Sequence, residues 1–220
     1  MINKKEILNT FNYRHACKIF DENKKISDDD FYTIIEAARL SPSSLGLEPW
    51  KFLLVQDMEK RKKLLEVTWG GQKQIPTASH LIIALAKKSY FMKYDSQYIS
   101  DFMTNIQKHP EEIRKYRLKM IENFQKNDFE LLKDERYLWD WASKQTYIPF
   151  ANMMTVAAML KIDTCPIEGF NRKKLDEILN KHFNVDTDKY SVSYMLTFGY
   201  RLNEQPLKTR QKLEDILEVF

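Results

Sequence analysis

Apolar positions recur along the chain with helical spacing in some stretches and as short continuous runs in others. From Asn3 to Phe11 the residues Ile7, Leu8 and Phe11 share one face, which predicts a short helix. Ser27 is a good N-cap, and Asp28, Asp29 and Asp30 fill the first turn, where a helix dipole favours negative charge. Phe31, Ile34, Ile35, Ala37 and Ala38 then repeat at helical spacing. Met58 to Val67 predicts a charged surface helix, and Arg172 to about Lys181 another. Trp50–Val55 and Leu81–Ala86 are short apolar runs and predict buried strands, and Tyr190–Phe198 is a third strand candidate. Trp139 to Ile162 is the most apolar stretch. A helix apolar on nearly every side lies at a domain centre or in a subunit interface.

The connections carry most of the polar character. Between the second helix and the first strand run Ser41-Pro42-Ser43-Ser44-Leu45-Gly46-Leu47-Glu48-Pro49. Pro42 ends the helix, Gly46 permits an unusual backbone angle and Pro49 stiffens the strand entry. A loop of small hydroxyls and backbone amides fixed between two rigid elements suits a flat polar ligand, though most loops of this composition are plain connections. Arg14, His15 and Lys18 place two cations four apart in an otherwise apolar segment, either as a solvated surface turn or as an anion site. Trp69 to Pro76 reads as a loop with amide side chains, Asp163 to Phe170 as a turn, and His80 as a structural cap or surface residue. Residues 89–136 form an excursion from the main sheet, read as two helices rich in charge and aromatics. The tail, 202–220, holds Leu213, Ile216, Leu217, Val219 and Phe220 and should dock on its own core or on a second subunit.

Composition narrows the class. The 220 residues suffice for one domain with a sizeable core and one excursion. A net charge of +4 with mixed signs argues weakly for nucleic acid. Two cysteines, Cys17 and Cys165, are too few for a disulfide framework and fit a reducing, cytoplasmic location. The apolar stretch around residues 147–160 is too short and too interrupted, by Pro149 and Asn152, to span a membrane. No G-x-G-x-x-G follows a strand, and there is no P-loop and no G-x-S-x-G elbow. The four histidines are scattered, which leaves no metal site to expect.

What remains is a series of polar and cationic islands: Arg14-His15-Ala16-Cys17-Lys18, Ser41-Pro42-Ser43-Ser44 with Pro49-Trp50, Ala78-Ser79-His80, Lys144-Gln145, Pro166-Ile167-Glu168-Gly169-Phe170 and Lys208-Thr209-Arg210. In this order and spacing they resemble the FMN-dependent nitroreductase family, closest to its oxygen-insensitive NAD(P)H nitroreductase and dihydropteridine reductase branch. The resemblance covers nearly the whole chain and is loosest over 89–136.

It implies a single α+β domain. A central, mostly antiparallel sheet is wrapped by helices and built as an intertwined homodimer, with the 202–220 tail exchanged between subunits. It also implies FMN at the interface, NADPH or NADH as electron donor, and a small-molecule acceptor such as a nitroaromatic or quinone reduced in ping-pong fashion. By position, Arg14, Lys208 and Arg210 hold the FMN phosphate, with His15 and Ala16 lining that end. Lys18 sits by the flavin pyrimidine edge. Pro42, Ser43, Ser44, Leu45 and Gly46 pack against the ring from the partner subunit. Gln72 and Gln74 reach the ribityl chain or ring edge. Pro166, Ile167, Glu168 and Gly169 lie at the other face, with a backbone N–H near N5. Phe124 is the candidate lid aromatic, with Phe129 beside it. No side-chain general acid or base is required.

Three departures stand out. Ala16 replaces Ser or Thr, Gly71 replaces Asn, and Leu45-Gly46-Leu47-Glu48 is less polar than usual. The competing expectations are a flavin storage or sensor protein whose ring face is closed by Leu45, Leu47 and the excursion, and a protein-interaction domain docking through its tail.

Overall fold

A computed structural model describes residues 3–220. Four antiparallel strands form the sheet in the order β1-β2-β4-β3: β1 Trp50–Leu54, β2 His80–Lys87, β3 Asp163–Ile167 and β4 Tyr190–Gly199. The chain is thus α+β, as the family resemblance implies. Asp163 to Ile167, expected to be a turn, is instead an edge strand paired with β4 from Asp163↔Gly199 to Ile167↔Met195. Pro166 hid it. A proline lacks the ladder donor and is tolerated only where one strand side needs no partner, which an edge supplies.

The helices are α1 Lys4–Tyr13, α2 Asp28–Arg39, α3 Met58–Leu65, α4 Gln74–Thr77, α5 Ser89–Met92, α6 Gln97–Asp101, α7 Glu111–Asn123, α8 Glu135–Met159 and α9 Arg172–Phe183. Asn3 caps α1 through a capping box with Glu6, and the Ser27 side chain accepts from the Asp30 N–H at the start of α2. The excursion holds α5, α6 and α7 rather than two helices. α6 and α7 each run on into a π-helical turn, Phe102–Ile106 and Phe124–Asp128.

The sheet is covered on both faces, which explains its continuous apolar runs. Along β2, Leu81, Ile83 and Leu85 face one core, with Leu64 of α3 and Leu175 and Leu179 of α9. Ile82 and Ala84 face the other, with Phe31, Ile34 and Ala38 of α2 and Phe150, Met153 and Ala157 of α8. In β4 the alternation breaks: Val192 and Met195 share the first face, whereas Tyr194, Leu196 and Phe198 share the second. A bulge accounts for it, since Ala84 pairs with Tyr194 but Leu85 pairs with Val192, leaving Ser193 extra. Ser193 Oγ meets Thr146 Oγ1 of α8 at 2.9 Å. His80, expected at the surface or as a cap, is buried as the first residue of β2, stacked on Phe31 with ring centres 4.1 Å apart.

A third core belongs to the excursion. Met92, Ile99, Met103, Ile121 and Leu131 pack on Leu138, Trp141 and Ala142 of α8, together with Leu47. The amino-terminal half of α8 therefore supports the excursion and its carboxy-terminal half the sheet. No helix among the described residues is long and apolar enough to cross a membrane.

One buried cation ties the first face together. Arg61 is 2% exposed and donates to the carbonyls of Val55, Ile75, Ala78 and Ser79 and to Gln56 Oε1, at 2.6–3.2 Å. No carboxylate is among these partners, so the backbone dipoles alone offset its desolvation. Arg61→Ala strands those carbonyls in the core and should lower stability by about 3 kcal/mol or more. Urea denaturation measures this, and a loss below about 1 kcal/mol would contradict the role given to Arg61.

Candidate functional site

Edge strand β3 has β4 on one side only. Its free side takes up the segment after α1: Ala16 bridges Thr164, and the Cys17 N–H donates to the Thr164 carbonyl at 2.9 Å. Further along, Phe20 bridges Arg201, and the Leu202 N–H donates to the Ile19 carbonyl at 3.2 Å. The tail then returns past residues 11–15. His15 Nε2 lies 2.8 Å from the Pro206 carbonyl and Nδ1 3.1 Å from that of Tyr13; a neutral ring satisfies one of the two at a time. Lys208 Nζ donates to the Phe11 carbonyl at 2.5 Å and to that of Arg14.

This route brings Arg14, Lys208 and Arg210 into mutual range. Burial, then the Arg210 charge, lowers the proton affinity of Arg14. Burial followed by Arg14 and Arg210 does the same for Lys208. No ion pair with a carboxylate involves any of the three among the described residues. Three cations crowded without a counter-charge repel one another, and an anion placed among them relieves the strain.

Next to this cluster lies Cys165 of β3. Burial pushes its thiol upward, while Lys18, the Gln74 amide and Arg14 pull it down. Lys18 and Gln74 therefore converge with Arg14 on the same patch of β3. Gln74 is 8% exposed, in the short helix α4 where a loop was expected, whereas Lys18 is exposed.

Beyond Cys165 the strand runs out through Pro166 and Ile167 to Glu168 and Gly169. There two loops pass in backbone contact: the Gly70 N–H donates to the Gly169 carbonyl at 2.7 Å. A Cβ on Gly169 would stand 2.7 Å from Gly70 Cα, so no side chain fits at either position without moving backbone. The Glu168 carboxylate, exposed, accepts from the Tyr147 hydroxyl of α8 at 2.5 Å. Burial and then Glu168 hold the Tyr147 hydroxyl protonated well above the usual phenol range.

The Pro42–Gly46 loop lies elsewhere in the chain. Ser44 donates its N–H to Gln145 Oε1 of α8 at 2.8 Å, and Ser43 Oγ accepts from the Glu48 N–H at 2.9 Å. Leu45 (φ 60°), Gly46 (φ 66°) and Glu48 (φ 44°) adopt left-handed backbone, which is costly outside glycine. Excursion side chains hold this shape. Gln107 donates to the Leu45 and Gly46 carbonyls, Arg117 to that of Leu45 and Tyr98 to those of Leu47 and Glu48, at 2.7–3.2 Å. Among the described residues, no hydrogen bond or ion pair joins this loop to the cationic cluster within one chain.

Two expected residues stand apart. Gln72 turns away from β3: its amide donates to the Leu65 and Thr68 carbonyls at 2.9 and 2.7 Å and closes the end of α3. The Phe124 ring packs against Phe129 and Trp141 in the excursion core, and Phe129 is the exposed ring of the pair. Tyr147, Cys165, Asp163 and Arg201 escaped the sequence reading as site neighbours, because nothing in their local spacing marks contacts to partners 21 or more residues away.

The sequence pattern of the Nitroreductase family matches residues 12–200. The chain belongs to the nitroreductase family. YfkO of Bacillus subtilis strain 168, a candidate NAD(P)H nitroreductase, is 48% identical over 215 residues, covering 98% of this chain and 97% of its own. SH0546 of Staphylococcus haemolyticus, another candidate NAD(P)H nitroreductase, is 49% identical over 212 residues, 96% of each chain. A candidate nitroreductase from Exiguobacterium sibiricum, solved in complex with FMN, superposes with a TM-score of 0.75 at 23% identity, covering 100% of this chain and 98% of its own. A candidate NAD(P)H:FMN oxidoreductase from Staphylococcus epidermidis gives a TM-score of 0.78 at 24% identity, with coverage of 100% and 98%. These structures share the nitroreductase fold with this chain.

The buried thiols and phenols at and behind the cationic cluster should make stability fall in alkali. Burial pushes the Cys17 thiol up to about 11 from an ordinary 9.0 and raises Cys165, Tyr13 and Tyr147 in the same direction. A thiol of raised pKa stays neutral in the fold while the unfolded chain ionises, so stability is full below pH 9.0 and declines toward about pH 11. Denaturant midpoints measured across that window should fall, and Cys17→Ser should flatten the decline; a midpoint that is level or rising would contradict the burial of these groups.

Proposed function

We propose that this chain is an FMN-dependent NAD(P)H oxidoreductase that reduces nitroaromatics, quinones or similar small acceptors by two electrons. The observation that carries the reading is the crowding of Arg14, Lys208 and Arg210 without a carboxylate, beside Lys18 and Gln74 on the outer side of β3. A phosphate monoester is a dianion with several acceptor oxygens, and that donor set fits it. FMN, when bound, supplies the chemistry: it takes hydride from NAD(P)H and gives it to the acceptor, which binds in turn at the same open face.

The residues then divide the work of holding it. Arg14, Lys208 and Arg210 hold the phosphate, with His15 and Ala16 lining that end. Lys18 offsets negative charge at the pyrimidine edge, and the buried Gln74 amide supplies a fixed dipole beside it. Pro166, Ile167, Glu168 and Gly169 border the ring, where the absence of a side chain at Gly169 lets backbone approach closely. Tyr147 steadies the Glu168 carboxylate and keeps its own proton.

Pro42, Ser43, Ser44, Leu45 and Gly46 complete the site from the second subunit of a cytoplasmic homodimer. Two observations support that arrangement: the loop is separate from the cationic cluster within one chain, and Leu207, Val219 and Phe220 of the tail are almost fully exposed. In the storage reading Leu45, Leu47 and the excursion close the ring face. Against the part given to the two leucines, both pack into the excursion core, Leu47 with no exposed surface.

An anaerobic absorbance spectrum of purified protein, titrated with NADPH and NADH, tests the reading. A flavin band should bleach with one or both nucleotides and return on adding a nitroaromatic or quinone. A band that never bleaches indicates storage, and a protein colourless even after incubation with FMN rejects the cofactor assignment. Lys18→Ala and Arg210→Ala should each weaken FMN retention on dialysis by about tenfold. Retention equal to the unaltered protein removes that residue from the site.

A further inference from the structure

The three cations sit on two segments, Arg14 after α1 and Lys208 and Arg210 on the tail, and one largely buried ion pair fixes those segments to each other. Asp163 opens β3, and its side chain is 1% exposed. Its Oδ1 accepts from Arg201 Nε at 2.8 Å and from Nη2, and its Oδ2 from the Arg201 backbone N–H at 2.9 Å. Arg201 Nη2 also donates to the Tyr13 carbonyl at 3.0 Å, one residue before Arg14. Its guanidinium lies over the Tyr13 ring, 4.3 Å from the centre, and the Tyr13 hydroxyl donates to the Lys161 carbonyl at 2.7 Å. The segment before Arg14, the start of β3 and the root of the tail thus meet at a single ion pair.

We infer that Asp163 and Arg201 are positioning residues for the phosphate end of the site, setting the separation of Arg14 from Lys208 and Arg210 without touching the ligand. The physical need is specific. Arg14, Lys208 and Arg210 repel one another, and the segments carrying them are tied otherwise by the Ala16 and Phe20 bridges, by backbone N–H bonds from Cys17, Asp21 and Leu202, and by side-chain bonds from His15 and Lys208 to carbonyls. Arg201 grips Asp163 with three donors while also holding the Tyr13 carbonyl. With that grip loosened, the cations can relax apart, and a seat spaced for one phosphate becomes a set of solvated side chains. The inference rests on the FMN reading of this cluster.

The test separates the two. Full-length protein, D163N and R201K are each titrated with FMN and with riboflavin, which is FMN without its phosphate, by quenching of flavin fluorescence. Far-UV circular dichroism is recorded for all three. The unaltered protein should prefer FMN, with inorganic phosphate competing. In the variants that preference should fall by about tenfold or more while riboflavin affinity changes by less than about threefold, because only the phosphate contacts are misplaced. R201K keeps the charge and shortens the reach, so it should lose less than D163N.

An unaltered protein that binds both flavins equally, or neither, overturns the phosphate seat and this inference with it. A preference in the unaltered protein that survives in a folded variant overturns the inference alone. Loss of secondary structure in both variants also overturns it, since the pair would then serve folding rather than placement.

Discussion

An edge strand must have something along its open side, and in this protein the identity of that covering decides where the chemistry can be. β3 pairs with β4 alone, and exposed strand edges invite association with other chains. The segment after α1 and the start of the tail close the gap, through Ala16, Cys17, Phe20 and Arg201. Protecting the edge and assembling a cationic cluster are therefore one structural act. Arg14 and Lys18 flank the residues that do the covering, and Lys208 and Arg210 follow the tail that locks them down.

The second organising element is α8, which serves two cores at once. Its carboxy-terminal half buries Phe150, Met153 and Ala157 against the sheet, and its amino-terminal half carries the excursion on Leu138, Trp141 and Ala142. Between the halves project the polar groups that reach outward: Gln145 to the Ser44 amide, Thr146 to the bulged Ser193 and Tyr147 to Glu168. A helix that appears uniformly apolar in sequence thus carries a narrow polar band where its two cores meet. Burial on both sides fixes that band, so Gln145 and Tyr147 are held to the positions the loops require.

Much of this was legible in the residues. The largely apolar segments at 50–55, 81–86 and 190–198 are strands because both sheet faces are covered, and Ser27 and the aspartates after it mark the start of α2. The family resemblance rested on residues close in sequence, and the clustering of Arg14 with Lys208 and Arg210 follows its placement. β3 was missed because Pro166 is an edge-strand residue that resembles a turn residue. Gln72 looked equivalent to Gln74 because a two-residue offset in a short loop says nothing about direction; α4 turns one inward and leaves the other to α3. The Asp163–Arg201 pair had no local signature, since its partners are 38 residues apart.

The loop at residues 43–48 holds three left-handed residues, two of them not glycine, in a shape its own sequence disfavours. Tyr98, Gln107 and Arg117 keep it there from the far side, so the conformation belongs jointly to the loop and to a structure some fifty to seventy residues downstream. Coupling of this kind runs in both directions. Whatever stiffens the loop also raises the order of the excursion, and whatever loosens the excursion lets the loop relax toward ordinary backbone. The excursion and the loop after α2, far apart in sequence, are thereby one mechanical unit. A change in the excursion reaches the loop through its carbonyls, with no substitution in the loop itself.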